Sequence, residues 1–137
     1  MPVIIARLLD TYVLALIARI LLTLPFWASG LSKSFDFQGA VAEMVHFNLH
    51  PPAAFAIATI VCQLVGSALV ILNRFTWLGA GALSVFTVLT IPIAHDFWNL
   101  SGEKAQNEIF FFVEHIGLIG GLMLAAILSR QSKAAGA

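Results

Sequence analysis

The chain has 137 residues, 60% of them hydrophobic and 10% charged, against about half apolar and about a quarter charged in an ordinary water-soluble domain. So short a fold leaves much of its surface exposed, so it cannot hide that much apolar side chain from water, and the soluble enzyme classes are excluded. Seven Lys and Arg balance seven Asp and Glu, which leaves no basic field for nucleic acid phosphates. The single cysteine, Cys62, excludes an internal disulfide, a CxxC redox pair and a Cys-rich zinc knuckle.

Four apolar stretches are long enough to cross the hydrocarbon of a bilayer, at residues 11–31, 53–72, 75–96 and 109–128. The first contains Arg19 and the last contains Glu114, whereas 53–72 and 75–94 carry no charge. An Arg inside the first apolar run and three further spans behind it predict a retained helix rather than a cleaved leader. Between the first two spans, residues 36–50 place Phe37, Ala40, Val41, Met44 and Val45 at helical spacing, with Gln38, Glu43, His46 and His50 opposite. With Asp36 as N-cap and Pro51-Pro52 as terminator, this predicts a short interfacial helix across one end of the bundle. Asn99, Ser101 and Gly102 suit a turn before the fourth span. The fold class is therefore an all-α membrane protein, a four-helix transmembrane bundle with a short interfacial helix between spans 1 and 2, forming one domain over 1–137. Arg7, Arg74, Arg130 and Lys133 fall on one side of these spans and only Lys33 and Lys104 on the other. The positive-inside rule then puts both termini in the cytoplasm.

Charges inside a span require partners or a wet cavity. From helical rise, Arg19 lies roughly 12 Å, and Gln63 of the antiparallel second span about 13 Å, from the same membrane edge. A hydrogen bond from the guanidinium to the Gln63 carbonyl is then feasible, either as interhelical glue or as part of an anionic or quinone-like headgroup site. Glu114 lies about 8 Å below the opposite edge, and His95 ends the third span there. Glu114, His95 and Lys33 can meet at one mouth of the bundle, where acid, imidazole and ammonium would shuttle protons. The competing reading is an ordinary interfacial belt of Trp98, Phe97 and Lys33. His115 is adjacent to Glu114 but about 100° away around the helix.

Glu43, His46 and His50 share one helical stripe, a spacing that can present three ligands to zinc or iron, against the alternative of a solvated polar face. Gly117 and Gly121 form a GxxxG pair that would let helix backbones pack closely, with Gly66, Gly79 and Gly81 as further small residues within spans. Gly79-Ala80-Gly81 is not a dinucleotide fingerprint, because no strand precedes it. Pro25 and Pro92 should kink their helices, and Cys62 reads as a small hydrophobe.

Arg19, the Ser29-Gly30-Leu31-Ser32-Lys33 stretch, the run from Gln63 to Leu72, the His95-Asp96-Phe97-Trp98 box and the paired glycines after Glu114 occur in an order that resembles the DoxX family. The resemblance extends over about residues 11–128. It implies a four-helix integral protein of the bacterial inner membrane with both ends cytoplasmic. It also implies an association with membrane redox systems, since the family takes its name from a small subunit linked to quinol oxidase and thiosulfate:quinone oxidoreductase activity. The chain departs from the family pattern where Gln63 stands in place of a common acidic residue, and where Glu114-His115 replaces a common Lys-Asn pair.

These readings converge on a membrane protein that binds a lipid-soluble ligand, with quinone as the candidate cofactor, as an accessory subunit of a redox complex. Ligand-binding candidates are Arg19, Gln63, Lys33, His95, Trp98, Glu114 and His115; low-ranked metal ligands are Glu43, His46 and His50. The alternative is a non-enzymatic scaffold or assembly factor that binds a partner protein or another copy of itself.

Overall fold

The computed structural model describes residues 1–95 and 97–135, and Asp96, where the sequence places the end of the third span, lies outside them. A short exposed helix, α1 (Val3–Leu9), precedes α2 (Tyr12–Phe35), whose N-cap Thr11 accepts the Leu14 N–H through its hydroxyl at 3.3 Å. Then come α3 (Phe37–His46), α4 (Pro52–Ile71), α5 (Thr76–Ala94), a 3-10 turn (Phe97–Asn99) and α6 (Gly102–Ala135). Four of these, α2, α4, α5 and α6, are long and apolar enough to cross a membrane. No strand occurs among the described residues.

Local signals set the ends of these helices. Asp36 caps α3 by accepting the Gly39 N–H at 2.9 Å. The same helix stops at His46 rather than running to residue 50. Asn48 turns left-handed, and Leu49 and Asn48 return their N–H groups to the Met44 and Val45 carbonyls, which is a Schellman closure. Helix α4 ends the same way, with Asn73 left-handed and the Arg74 and Asn73 N–H groups bonded to Leu69 and Val70. Helix α6 departs most from expectation. It begins at Gly102 instead of near residue 109, because the expected turn is confined to the residues just before it and Gly102 supplies the left-handed start. Its polar first two turns, including Glu103 and Glu108, are therefore helical. At 34 residues and about 1.5 Å per residue, α6 overhangs a hydrocarbon layer of about 30 Å.

Antiparallel neighbours pack in the order α2 on α4, α4 on α5 and α5 on α6, whereas α2 and α6 touch only lightly. The core joins Phe26, Val70, Ala80, Leu83 and Leu122. A second cluster of Ala40, Met44 and Ala56 holds α3 against the start of α4. Leu21, Val65, Val85 and Leu128 point outward, as helices that meet lipid on their free faces require.

The closest crossing is between α4 and α5. A Cβ on Gly79 would lie 2.6 Å from the Gly66 carbonyl oxygen and 2.8 Å from the Leu69 Cβ. The GxxxG expectation on α6 is only half met. Gly121 would meet the tip of Leu22 at 2.7 Å, but Gly117 and Gly120 face open space. Gly79→Val should therefore destabilise the fold by about 1–3 kcal/mol or more, since backbone cannot yield as a side-chain tip does. Gly117→Ala should be neutral or stabilising by up to about 1 kcal/mol. Thermal unfolding of both variants in a mild detergent checks the contrast.

Candidate functional site

A cavity of about 1020 Å³ lies mainly between α4 and α5, and α2, α3 and the His115 and Leu118 side chains of α6 complete its wall. Most of its wall is apolar, with Phe26, Met44, Phe86, Ile93 and Leu118 among the lining residues. Phe55, Leu78, Val85 and Leu89 both line it and are exposed, so it opens sideways through an apolar flank.

Polar groups gather toward the end covered by α3. Lys33 lies in the last turn of α2 and donates from Nζ to Glu43 Oε2 at 2.7 Å and to Ser29 Oγ at 3.3 Å. This ion pair ties the last turn of α2 to α3. Across the cavity, His95 Nδ1 is 2.6 Å from Glu108 Oε2. The His95 ring stacks on Phe111 at 5.5 Å between centroids and meets His115 edge-on at 4.7 Å. His115 Nδ1 lies 2.7 Å from the Phe111 carbonyl, which only accepts, so Nδ1 carries the proton and Nε2 is left as an acceptor. The carboxylate of Glu108 imposes the same order on His95. Glu108, Phe111 and His115 are spaced at three and four along α6, which is how one helix face delivers all three to His95.

Deeper in, Gln63 is buried, and its Oε1 has no hydrogen-bond partner. It packs beside Gly30, where an added Cβ would lie 3.3 Å from Gln63 Cβ, one helical turn before Lys33. Gln63, Lys33, Glu43, His95 and His115 all line the one cavity.

The remaining candidates lie elsewhere. Arg19 and Gln63 share no hydrogen bond. Arg19 Nε and Nη2 are buried without a partner. The guanidinium reaches back over the Tyr12 ring, 5.8 Å from its centroid, into a separate cavity of about 430 Å³ with Asn73 and Ser129. Equal depth of the Cα atoms does not bring the two side chains together, because a helical side chain leans toward the N-terminus of its own helix. Glu114 is exposed and outside the cavity, and its expected place beside His95 is taken by Glu108. Trp98 is likewise exposed and does not line the cavity. On α3, Glu43 is engaged with Lys33, His46 is exposed against Phe47, and His50 lies past the helix end. Among the described residues no three His, Cys, Asp or Glu side chains gather to hold a metal.

Glu108 is hidden in the sequence by its polar surroundings, which read as a loop. Extending the helix back to Gly102 places it on the face of His115.

Four helices long and apolar enough to cross a membrane, around a laterally open apolar cavity with ion pairs at one mouth, define a small polytopic membrane protein. The family model for DoxX matches residues 14–96, and the chain belongs to the DoxX family. It is 30% identical over 115 residues to Inner membrane protein YphA of Escherichia coli (strain K12), covering 84% of this chain and 82% of that protein. No solved structure matches the chain significantly.

Arg19 is an uncompensated charge within an apolar helix, so Arg19→Met should stabilise the protein in neutral detergent by about 1–3 kcal/mol. A lowered thermal midpoint for this variant would instead reveal an anionic partner retained through purification.

Proposed function

We propose that this protein is a multi-pass inner-membrane protein with both termini in the cytoplasm, which holds a lipid-soluble molecule of the quinone class between its helices as an accessory component of a membrane redox system. The observation that carries the reading is the cavity itself. A long apolar tail can enter through the flank at Phe55, Val85 and Leu89, while Gln63 Oε1, Lys33 and the two histidines offer hydrogen bonds to a head. The donor set fits such a head. Gln63 Oε1 is an orphaned buried acceptor and the imidazole Nε2 atoms are further acceptors suited to a hydroxyl, and Lys33 Nζ is a donor suited to a carbonyl. A quinone, when bound, supplies reversible transfer of two electrons with two protons.

The chain's own part is to bind, orient and manage protons. Lys33 is fixed by Glu43 and Ser29, so its ammonium is presented rather than free to roam. His95, held by Glu108, can take or give a proton at Nε2, and His115 stands in ring contact beside it. The apolar wall excludes water from the deeper Gln63. Family membership and the relative's description as an inner membrane protein support the location.

A second reading, a scaffold or assembly factor, draws on one observation: Glu114 is exposed on α6 beside Gly117 and Gly120, which none of the described residues covers. A partner helix, from another subunit or a second copy, would relieve the cost of that charge in lipid.

Organic extraction of protein purified in mild detergent should yield quinone above the membrane background, near one per chain. Gln63→Leu, similar in volume but without the acceptor, should reduce its occupancy by about fivefold or more. Wild-type protein that is folded and quinone-free overturns the reading, and crosslinking from a residue beside Glu114 then tests the scaffold.

A further inference from the structure

At the end of the bundle opposite α3, the first turn of α5 and the last turns of α6 enclose a cavity of about 750 Å³. Its lining includes Arg74, Thr76, Trp77, Ser129, Arg130 and Lys133, and no Asp or Glu. Neither of the two ion pairs among the described residues, Lys33–Glu43 and His95–Glu108, involves any of the three cations. The three side chains are exposed, and among the described residues no carboxylate lines the cavity to offset their mutual repulsion.

The cations are held on a stitched frame. The Thr76 hydroxyl is buried, donates to Asn73 Oδ1 at 3.0 Å and accepts from Ser129 Oγ at 3.1 Å. That pair of bonds fixes the α4–α5 connection, which carries Arg74, against the turn of α6 that carries Arg130. Helix α5 also starts at this cavity, and its N-cap, Phe75, offers no side-chain acceptor to the first N–H groups. The helix end thus adds to the positive potential. The adjoining cavity shares Ser129 and contains Arg19, whose buried Nε and Nη2 lack partners.

Both the charge and the walls restrict the occupant. Phe75 and Trp77 are 61% and 68% exposed at the rim, and Ile127 extends the apolar wall along α6. A soluble anion would leave that wall unused, whereas an amphiphile with an anionic head satisfies both parts at once. Aromatic and basic residues mixed at a helix end are the setting in which a headgroup lies. We propose that this cavity is a binding site for an anionic phospholipid, with the headgroup phosphate among Arg74, Arg130 and Lys133 and the acyl chains along Trp77 and Ile127. The site adjoins the larger cavity at Trp77, which lines both, whereas the polar groups Lys33, Glu43, His95 and His115 of that cavity lie toward the other end of the bundle.

Native mass spectrometry of the full chain, delipidated and then mixed with phosphatidylglycerol or phosphatidylcholine, tests the assignment. Wild type should retain phosphatidylglycerol preferentially. Arg130→Gln should lose about fivefold of that preference, and the Arg74→Gln/Arg130→Gln/Lys133→Gln variant about fivefold per cation removed. Lys104→Gln, which removes a cation at the opposite end, should bind as wild type does. The proposal is overturned if Arg130→Gln and the triple variant retain the lipid as wild type does, or if Lys104→Gln loses it equally. It is also overturned if inorganic phosphate protects wild type against heat as well as phosphatidylglycerol does, since the site would then accept a free anion.

Discussion

A charged group in hydrocarbon costs a few kcal/mol unless it is paired or reaches water, and seven cations and seven anions must be placed in a chain that is 60% hydrophobic. The bundle meets this by sorting charge along its length. Arg74, Arg130 and Lys133 collect at one end, and Glu43, Glu108 and His95 collect at the other, where Lys33 is held by Glu43. A formal charge of zero therefore conceals a molecule with one basic and one acidic end. Within the apolar stretches 11–31 and 109–128 the charges are Arg19 and Glu114, and each is displaced in its own way. Arg19 leans back toward Tyr12, and Glu114 points outward.

The same solvent dictates where space opens. Lipid gives helices no hydrophobic reason to associate, so contact depends on close fit. Gly66 and Gly79 supply that fit between α4 and α5, where backbone nearly touches backbone. Between α2 and α6 the contact is light, and among the glycines it is Gly121 that approaches α2, at Leu22. The glycine contact closes only part of the α4–α5 seam, and the main cavity opens along the rest of it at Phe55, Leu78, Val85 and Leu89, with helix α3 held over one end through Ala40, Met44 and Ala56.

The spans are legible in the sequence because a water-soluble chain this short has no use for apolar runs long enough to cross a bilayer. The cap at Asp36 is legible for a similar reason, since a side-chain acceptor before an amphipathic run has a specific use. Features that depend on side-chain reach are not. Rise per residue locates the Cα atoms of Arg19 and Gln63 at one depth but cannot show that a long guanidinium leans a turn or more toward its own N-terminus. Reading residues up to Glu108 as loop removes Glu108 from consideration and leaves Glu114 as the only acid for His95. Composition misleads there, because polar first turns of a long helix resemble a connection until the Gly102 start is known. The glycine motif fails on different grounds. GxxxG states that a face is able to pack closely, and it is silent on whether a neighbour occupies that face.

The two ends of the bundle therefore make opposite demands on a ligand. At the acidic end Lys33 and His95 each already have a carboxylate within 2.7 Å, so what remains unsatisfied in that cavity is the capacity of neutral groups, Gln63 Oε1 above all. A neutral head with a hydroxyl or carbonyl is matched to that need, and a further anion would compete with Glu43 for Lys33 and with Glu108 for His95. At the basic end no carboxylate of the described residues lines the cavity, so the unsatisfied quantity is charge, and a neutral head would leave it in place. The selectivity of each cavity thus follows from which compensation the chain supplies for itself. Exchanging the heads would cost at both ends, because one would strand an anion beside carboxylates and the other would leave three cations unneutralised.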